Sequence, residues 1–144
     1  MSQRYTGHGI GFEYPDLWTV GETDDAGQVS ITVQSSGTSF WSVHLYQDGE
    51  EPMTLIETAI DAFREEYEDL DVYEVKTDLH SQSAISRDLE FVCMDLVNSA
   101  FLRAFRAFGG TILLLYQGTD RELEETLSIL ESISESLTGE IEIS

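Results

Sequence analysis

The sequence predicts an α+β domain, an antiparallel β-sheet with helices packed on its faces. Three patterns carry that expectation. Short segments in the first part of the chain alternate apolar and polar residues with period two. Two longer stretches repeat apolar residues every three or four positions. Between these stretches lies a run of strand-forming segments broken by turn residues. A chain of 144 residues is one domain by length, expected as residues 1–144 with a core over about 9–138 and a flexible tail over 139–144.

The elements follow in order. Ile10, Phe12 and Tyr14 alternate with Gly11 and Glu13, which predicts a half-buried strand ended by Pro15-Asp16. Trp18 and Val20 begin a short strand, and Thr23 to Gly27 reads as a loop. Val29, Ile31 and Val33 form the next strand, Ser35 to Thr38 a hairpin connection, and Phe40 to Tyr46 the returning strand. Trp41, Val43 and Leu45 take one face of it, with Phe40, Ser42, His44 and Tyr46 on the other.

Gln47 to Glu51 is a charged turn, and Pro52 suits a first helical turn. Leu55, Ile56, Ala59, Ile60, Phe63, Tyr67 and Leu70 form an apolar stripe, with Glu57, Asp61, Glu65 and Glu68 facing away. Val72 to Val75 is a short strand before the polar stretch Asp78 to Ser83. The second half then predicts a meander: a strand over Asp88 to Val97, a tight turn at Asn98-Ser99, a strand over Ala100 to Phe108, a turn at Gly109-Gly110 and a strand over Thr111 to Gln117. Asp120 to Leu137 is an amphipathic helix with Leu123, Leu127, Leu130, Ile133 and Leu137 inward, ended by Gly139.

Charge excludes whole classes of function. Seven Lys plus Arg stand against 28 Asp plus Glu, a formal net charge of -21, and Lys76 is the single lysine. Binding to nucleic acid needs a basic footprint that displaces counterions, and an anionic membrane surface would repel this chain. The acidity fits a solubility device, a partner with a basic face or a salty interior. Fifteen of the 28 acids fall in the helical stretches 50–71 and 120–135, so the outer helix faces should be strongly negative. The longest unbroken apolar run, Ile112 to Tyr116, is far short of a membrane span. Met1 to Gly11 shows no basic region followed by an apolar run, and the expected location is cytoplasmic. Cys93 is the only cysteine and reads as a core residue.

The element order, opened by Gly11-Phe12-Glu13-Tyr14-Pro15-Asp16-Leu17-Trp18, resembles the PsbP-like superfamily. That group includes the extrinsic PsbP protein of photosystem II, a yeast Ran-binding nuclear import factor and bacterial domains, some of them chaperones for secretion-system effectors. The resemblance implies an α/β/α sandwich and a protein that works by binding other proteins.

Candidate chemistry is sparse. His8, His44 and His80 lack ligand spacing. The pairs Asp24-Asp25, Glu50-Glu51, Glu65-Glu66 and Glu124-Glu125 fall on loops or outer helix faces, where carboxylates stay solvated. Asp24-Asp25-Ala26-Gly27 is not a calcium loop, and no Gly-x-Ser-x-Gly elbow occurs. The glycine-rich stretch Gly7 to Gly11 precedes a strand, so no helix N-terminus follows it to hold an anion. The expectation is therefore no catalytic residue, no cofactor and no metal. Arg103 and Arg106 sit among aromatics an odd number of positions apart, so they point to opposite faces and must each find a carboxylate or a ligand anion. A helix glutamate is the expected partner; a small anion pocket is the alternative. Trp41, with Phe40 and Tyr46, fits core packing better than an exposed aromatic surface.

Trp41, His44, Tyr46, Arg103 and Arg106 are the residues expected at a partner or ligand surface. The function expected is a non-enzymatic, acidic protein-binding module. The alternatives are a chaperone for an apolar or membrane segment of a secreted effector, and a small-ligand or enzymatic pocket near His44 or Arg103.

Overall fold

A computed structural model describes residues 2–25, 28–46, 50–79 and 82–139. Within them the chain runs β1 (Ser2–Gly7), β2 (Ile10–Pro15), β3 (Thr19–Asp25), β4 (Gln28–Gln34), β5 (Phe40–Tyr46), α1 (Pro52–Glu66), β6 (Asp71–Leu79), β7 (Gln82–Cys93), β8 (Leu96–Ala107), β9 (Gly110–Thr119), α2 (Asp120–Ser136) and β10 (Thr138–Gly139). Seven strands make one antiparallel sheet in the order β3-β4-β5-β9-β8-β7-β6. β1, β2 and β10 make a second, three-stranded sheet.

The two faces of the large sheet hold separate apolar clusters. On one, Ile31 and Val33 of β4, Trp41 and Val43 of β5 and Leu114 of β9 pack with Leu130, Ile133 and Leu137 from α2 and with Ile10 and Phe12 from the small sheet. On the other, Leu55 and Ile56 of α1 pack on Leu89, Phe91, Ala100, Leu102 and Leu113. Helices therefore lie on both faces, the α+β sandwich that the sequence predicts. Strand composition follows the covering. Ile112 to Tyr116 in β9 is apolar on both faces because both are roofed, whereas β4 alternates Val29-Ser30-Ile31-Thr32-Val33 because only its inner face is.

One buried polar contact ties these layers together. Trp41 is fully buried. Its indole N–H donates to the Ser134 hydroxyl at 2.9 Å, which donates to the Leu130 carbonyl at 3.3 Å. The indole also meets Phe12 at a centroid distance of 4.8 Å. Helix α2 begins at Thr119, whose hydroxyl accepts from the Glu122 N–H at 3.2 Å. The Glu122 carboxylate reaches across to accept from the Thr38 backbone N–H at 3.0 and 3.1 Å, fastening the β4–β5 connection to the helix.

Several boundaries differ from the sequence reading. β1 has no apolar alternation to reveal it and forms by pairing with β2, Tyr5 opposite Phe12. Thr23 to Asp25 continue β3 instead of opening a loop, paired with β4; residues 26–27 lie outside the described set. The expected short strand over Val72 to Val75 extends to Asp71–Leu79, with Asp78 and Leu79 paired to Ser83 and Gln82. The expected turn at Asn98-Ser99 is strand, Asn98 pairing with Phe91 and Ser99 with Glu90. The turn is instead Met94-Asp95, with both residues at positive φ, 52° and 65°.

That is the geometry of a two-residue hairpin that favours Asn-Gly, and Met-Asp gives no compositional sign of it. Phe108-Gly109 makes the same kind of turn, φ 57° and 79°, one residue earlier than expected. Helix α2 stops at Ser136 and Gly139 does not cap it. Gly139 pairs with Ile10 in β10, and a Cβ there would come within 2.6 Å of the Phe108 ring. The rest of the expected tail, 140–144, lies outside the described residues, as do His80 and most of the charged turn, residues 47–49.

Two stability predictions follow from this geometry. Ser134→Ala leaves the buried indole N–H unpaired and should lower the unfolding free energy by about 1–3 kcal/mol, measured by urea denaturation. An unchanged midpoint would show that the pairing contributes nothing. Met94→Asn suits the left-handed turn and should raise the unfolding free energy by roughly 0.5–1 kcal/mol, read in the same assay. A loss of stability would contradict the strain assigned to Met94.

Candidate functional site

The five residues expected at a surface are divided by the sheet. Trp41 and Arg103 project to the α2 side, while His44, Tyr46 and Arg106 lie on the side of α1. Trp41 must be removed from any partner surface. It is fully buried, because its ring is the largest apolar group available to join β5, α2 and β2.

Arg103 is also almost entirely buried, and its partner differs from the one expected. Nη1 donates to the Asp88 carboxylate at 2.8 Å, on the neighbouring strand and not on a helix, and to the Leu102 carbonyl at 3.0 Å. The guanidinium lies 5.8 Å from the centroids of both Phe101 and Tyr116, which stack on each other at 5.1 Å. This is a charge pair with cation–π support inside the fold. Burial raises the Tyr116 hydroxyl pKa, with the Arg103 charge opposing that shift. Arg106 pairs with Glu51, the residue just before α1, at 2.7 Å on the surface.

His44 lies on a polar stretch of sheet formed by Ser30, Thr32, Gln34, Ser42 and His44 of β4 and β5. Ser42 donates to the Leu115 carbonyl at 3.1 Å. Its oxygen is then free to accept from His44 Nε2–H at 3.1 Å, which leaves Nδ1 to accept the Ser30 hydroxyl at 2.8 Å. A serine hydroxyl on a neutral imidazole is half of a nucleophilic arrangement. The group orienting the ring is a serine and not a carboxylate, so an imidazolium formed here would lack a charged partner in its hydrogen bonds. Burial lowers the His44 pKa. Tyr46 is half-buried and accepts from the Gln28 side chain at 3.1 Å.

Tyr46 lines a small cavity of about 40 Å³ with His8, Phe108 and Thr111; larger concave surface occurs elsewhere. A groove of about 490 Å³ runs between Glu13, Tyr14 and Pro15 of β2 and Ser128, Ser132 and Ser136 of α2. A second, about 510 Å³, borders Val75, Lys76, Thr77 and Arg87 at the sheet edge near Met53. Neither is lined by the five expected residues. Among the described residues no cluster of three His, Cys, Asp or Glu side chains is placed to hold a metal, and no helix is long and apolar enough to cross a membrane.

Two features escaped the sequence reading. Glu22 on β3 accepts from the Tyr5 hydroxyl at 2.5 Å and bonds His8 Nε2 at 2.7 Å, clasping the small sheet to the large one; it depends on β1, which has no sequence signal. The other is the tip of the β7–β8 hairpin. Val92, Met94, Leu96 and Val97 are 59%, 90%, 54% and 43% exposed, and all four fall inside the continuous strand expected over Asp88 to Val97.

The fold is PsbP-like. Among solved structures the chain is similar to the cyanobacterial PsbP protein (CyanoP) of Synechocystis sp. PCC 6803, with a TM-score of 0.61 at 14% identity over 96% of this chain and 92% of that one. It is similar to PA94 of Pseudomonas aeruginosa, a protein of unknown function, with a TM-score of 0.58 at 10% identity over 98% and 99%. It is also similar to LpqN of Mycobacterium tuberculosis, involved in cell envelope biogenesis, with a TM-score of 0.51 at 15% identity over 95% and 90%. At these identities the likeness is one of fold. No family model and no curated protein matches the chain.

The His44 environment sets a pH dependence. Its folded pKa lies below the ordinary 6.5 because of burial, so between those values the unfolded chain binds a proton that the folded chain refuses. Stability should fall as pH drops through 6.5. Urea midpoints across about pH 7.5 to 5.5 should show this slope in the parent and a flatter one in His44→Gln. Equal slopes would remove His44 as the cause.

Proposed function

We propose that this chain is a non-enzymatic, acidic protein-binding module of the cytoplasm that associates with a partner bearing a basic face. One observation carries the reading: the fold turns its helix carboxylates outward while carboxylates of the same chain engage part of its few cations. Glu57, Asp61 and Glu65 on α1 and Glu124, Glu125, Glu131 and Glu135 on α2 are exposed. Arg87, Arg103 and Arg106 are engaged with Glu74, Asp88 and Glu51. Such a field steers basic partners and repels acidic ones.

A shared pocket for a small ligand is less well supported, since His44 and Arg103 occupy opposite faces and their polar groups are bonded within the protein. The chaperone alternative draws support from the apolar hairpin tip alone.

The test is affinity capture on the immobilised full chain from native lysate at low and high salt, with mass spectrometry of the eluate. The expected outcome is a specific protein with a basic surface, retained at low salt and weakened as salt screens the exposed charges. Capture that is indifferent to salt, or an empty eluate at both salts, would overturn the reading.

A further inference from the structure

We propose that the tip of the β7–β8 hairpin is the docking surface, and that its occupant is an amphipathic helix whose apolar face is bordered by Lys or Arg. This rests on the protein-binding reading above and names the surface and the partner's chemistry.

The tip projects beyond the rest of the sheet. β9 ends opposite Asn98, and β6 begins opposite Glu90. Residues 92–97 therefore continue as a ribbon of two strands paired only with each other. One side of the base is supported: Phe91 is buried and stacks on Tyr67 at 4.2 Å. The other side is open. Val92 and Val97 face each other across the ribbon there, and Met94 extends from the turn.

Three features mark this as more than a solvated loop. First, an unpaired ribbon end is where a protein ordinarily places polar residues, yet residues 91–98 carry one charged group, Asp95. Second, Met94 occupies a left-handed position, φ 52°, that Asn or Gly would fill without strain; an apolar side chain is kept at the apex at a cost to stability. Third, the base is bordered by acids: Glu90 opposite Asp71, and Asp120, which accepts from Ser99 at 2.7 Å.

Apolar anchors inside a carboxylate border match an apolar stripe inside a basic border. The acidic border argues against an anionic bilayer as the occupant.

The experiment uses the full chain and the double variant Met94→Asn/Val97→Thr, which changes the apex and the open face. The variant keeps the net charge, places Asn in the turn and Thr in the strand, and should melt at or above the parent temperature. The probes are a synthetic amphipathic helical peptide of Leu and Lys, and its counterpart with Glu in place of Lys. The parent should bind the Leu–Lys peptide and not the Leu–Glu peptide, with amide shift changes concentrated in residues 90–98. The variant should bind about tenfold more weakly or worse.

Equal binding by parent and variant would overturn the tip as the surface while leaving a basic-partner module standing. Failure of the peptide to bind the parent, alongside a salt-sensitive partner in the lysate capture, would overturn the amphipathic occupant alone. Failure of both would take the protein-binding reading with it. Co-sedimentation of the parent with zwitterionic phosphatidylcholine vesicles, abolished in the variant, would reassign the tip to a lipid surface. A concentration-dependent dimer abolished in the variant would reassign it to a second copy of this chain. Either result would overturn the proposal.

Discussion

The burial of Trp41 is the constraint on which the layered structure depends. An indole can be taken out of water cheaply only if its N–H finds a partner. Here the partner is Ser134 on α2, so the helix must lie across β5 at one rotation and one height. Phe12 packs against the same ring and brings the small sheet in beside the helix. Glu122 then fixes the N-terminal end of α2 to the Thr38 loop. Burial alone would raise its carboxyl pKa, and the hydrogen bonds from Thr38 and Ser39 reverse this and hold it low.

With α2 and the small sheet committed to one face, a single helix remains for the other. α1 packs on β7, β8 and β9, and the corresponding face of β4 and β5 carries Ser30, Thr32, Gln34, Ser42 and His44. A seven-stranded sheet with one helix on that face is workable because those strands alternate. Sequence and covering agree residue by residue: both-face apolarity in β9 under two roofs, one-face apolarity in β4 under one.

That correspondence explains what could be read without a structure. Where burial imposes a period, as in β4, β5, α1 and α2, the elements were legible to within a few residues. Where structure follows from pairing alone the period is absent, and β1 and β10 were invisible or mistaken for tail. Turn chemistry misled in both directions. Asn98-Ser99 has turn composition but is held in the ladder between β7 and β9, and Met94-Asp95 makes the turn without any favourable residue. The alternation that put Arg103 and Arg106 on opposite faces was correct. Their partners were not predictable, because Asp88 is a neighbour of Arg103 only through the β7–β8 register. Little of the candidate surface was legible for the same reason: moving the turn four residues turns the predicted strand Asp88 to Val97 into an exposed hairpin tip.

The edges of the sheet bear on what that tip can be for. β3 and β6 end the sheet with unpaired backbone groups, the usual route to strand-to-strand association. β3 places exposed Glu22, Asp24 and Asp25 along its edge, and β6 places Asp71, Glu74 and Lys76. Two copies approaching through either β3 edge bring carboxylates together, which opposes pairing. The same protection is missing from the β7–β8 tip, where one aspartate stands among four exposed apolar side chains. The sequence guards its sheet edges with charge, yet leaves this protruding ribbon apolar and strained. The acidic surface limits which molecules approach, and under the proposed reading the apolar tip is what the admitted partner would hold.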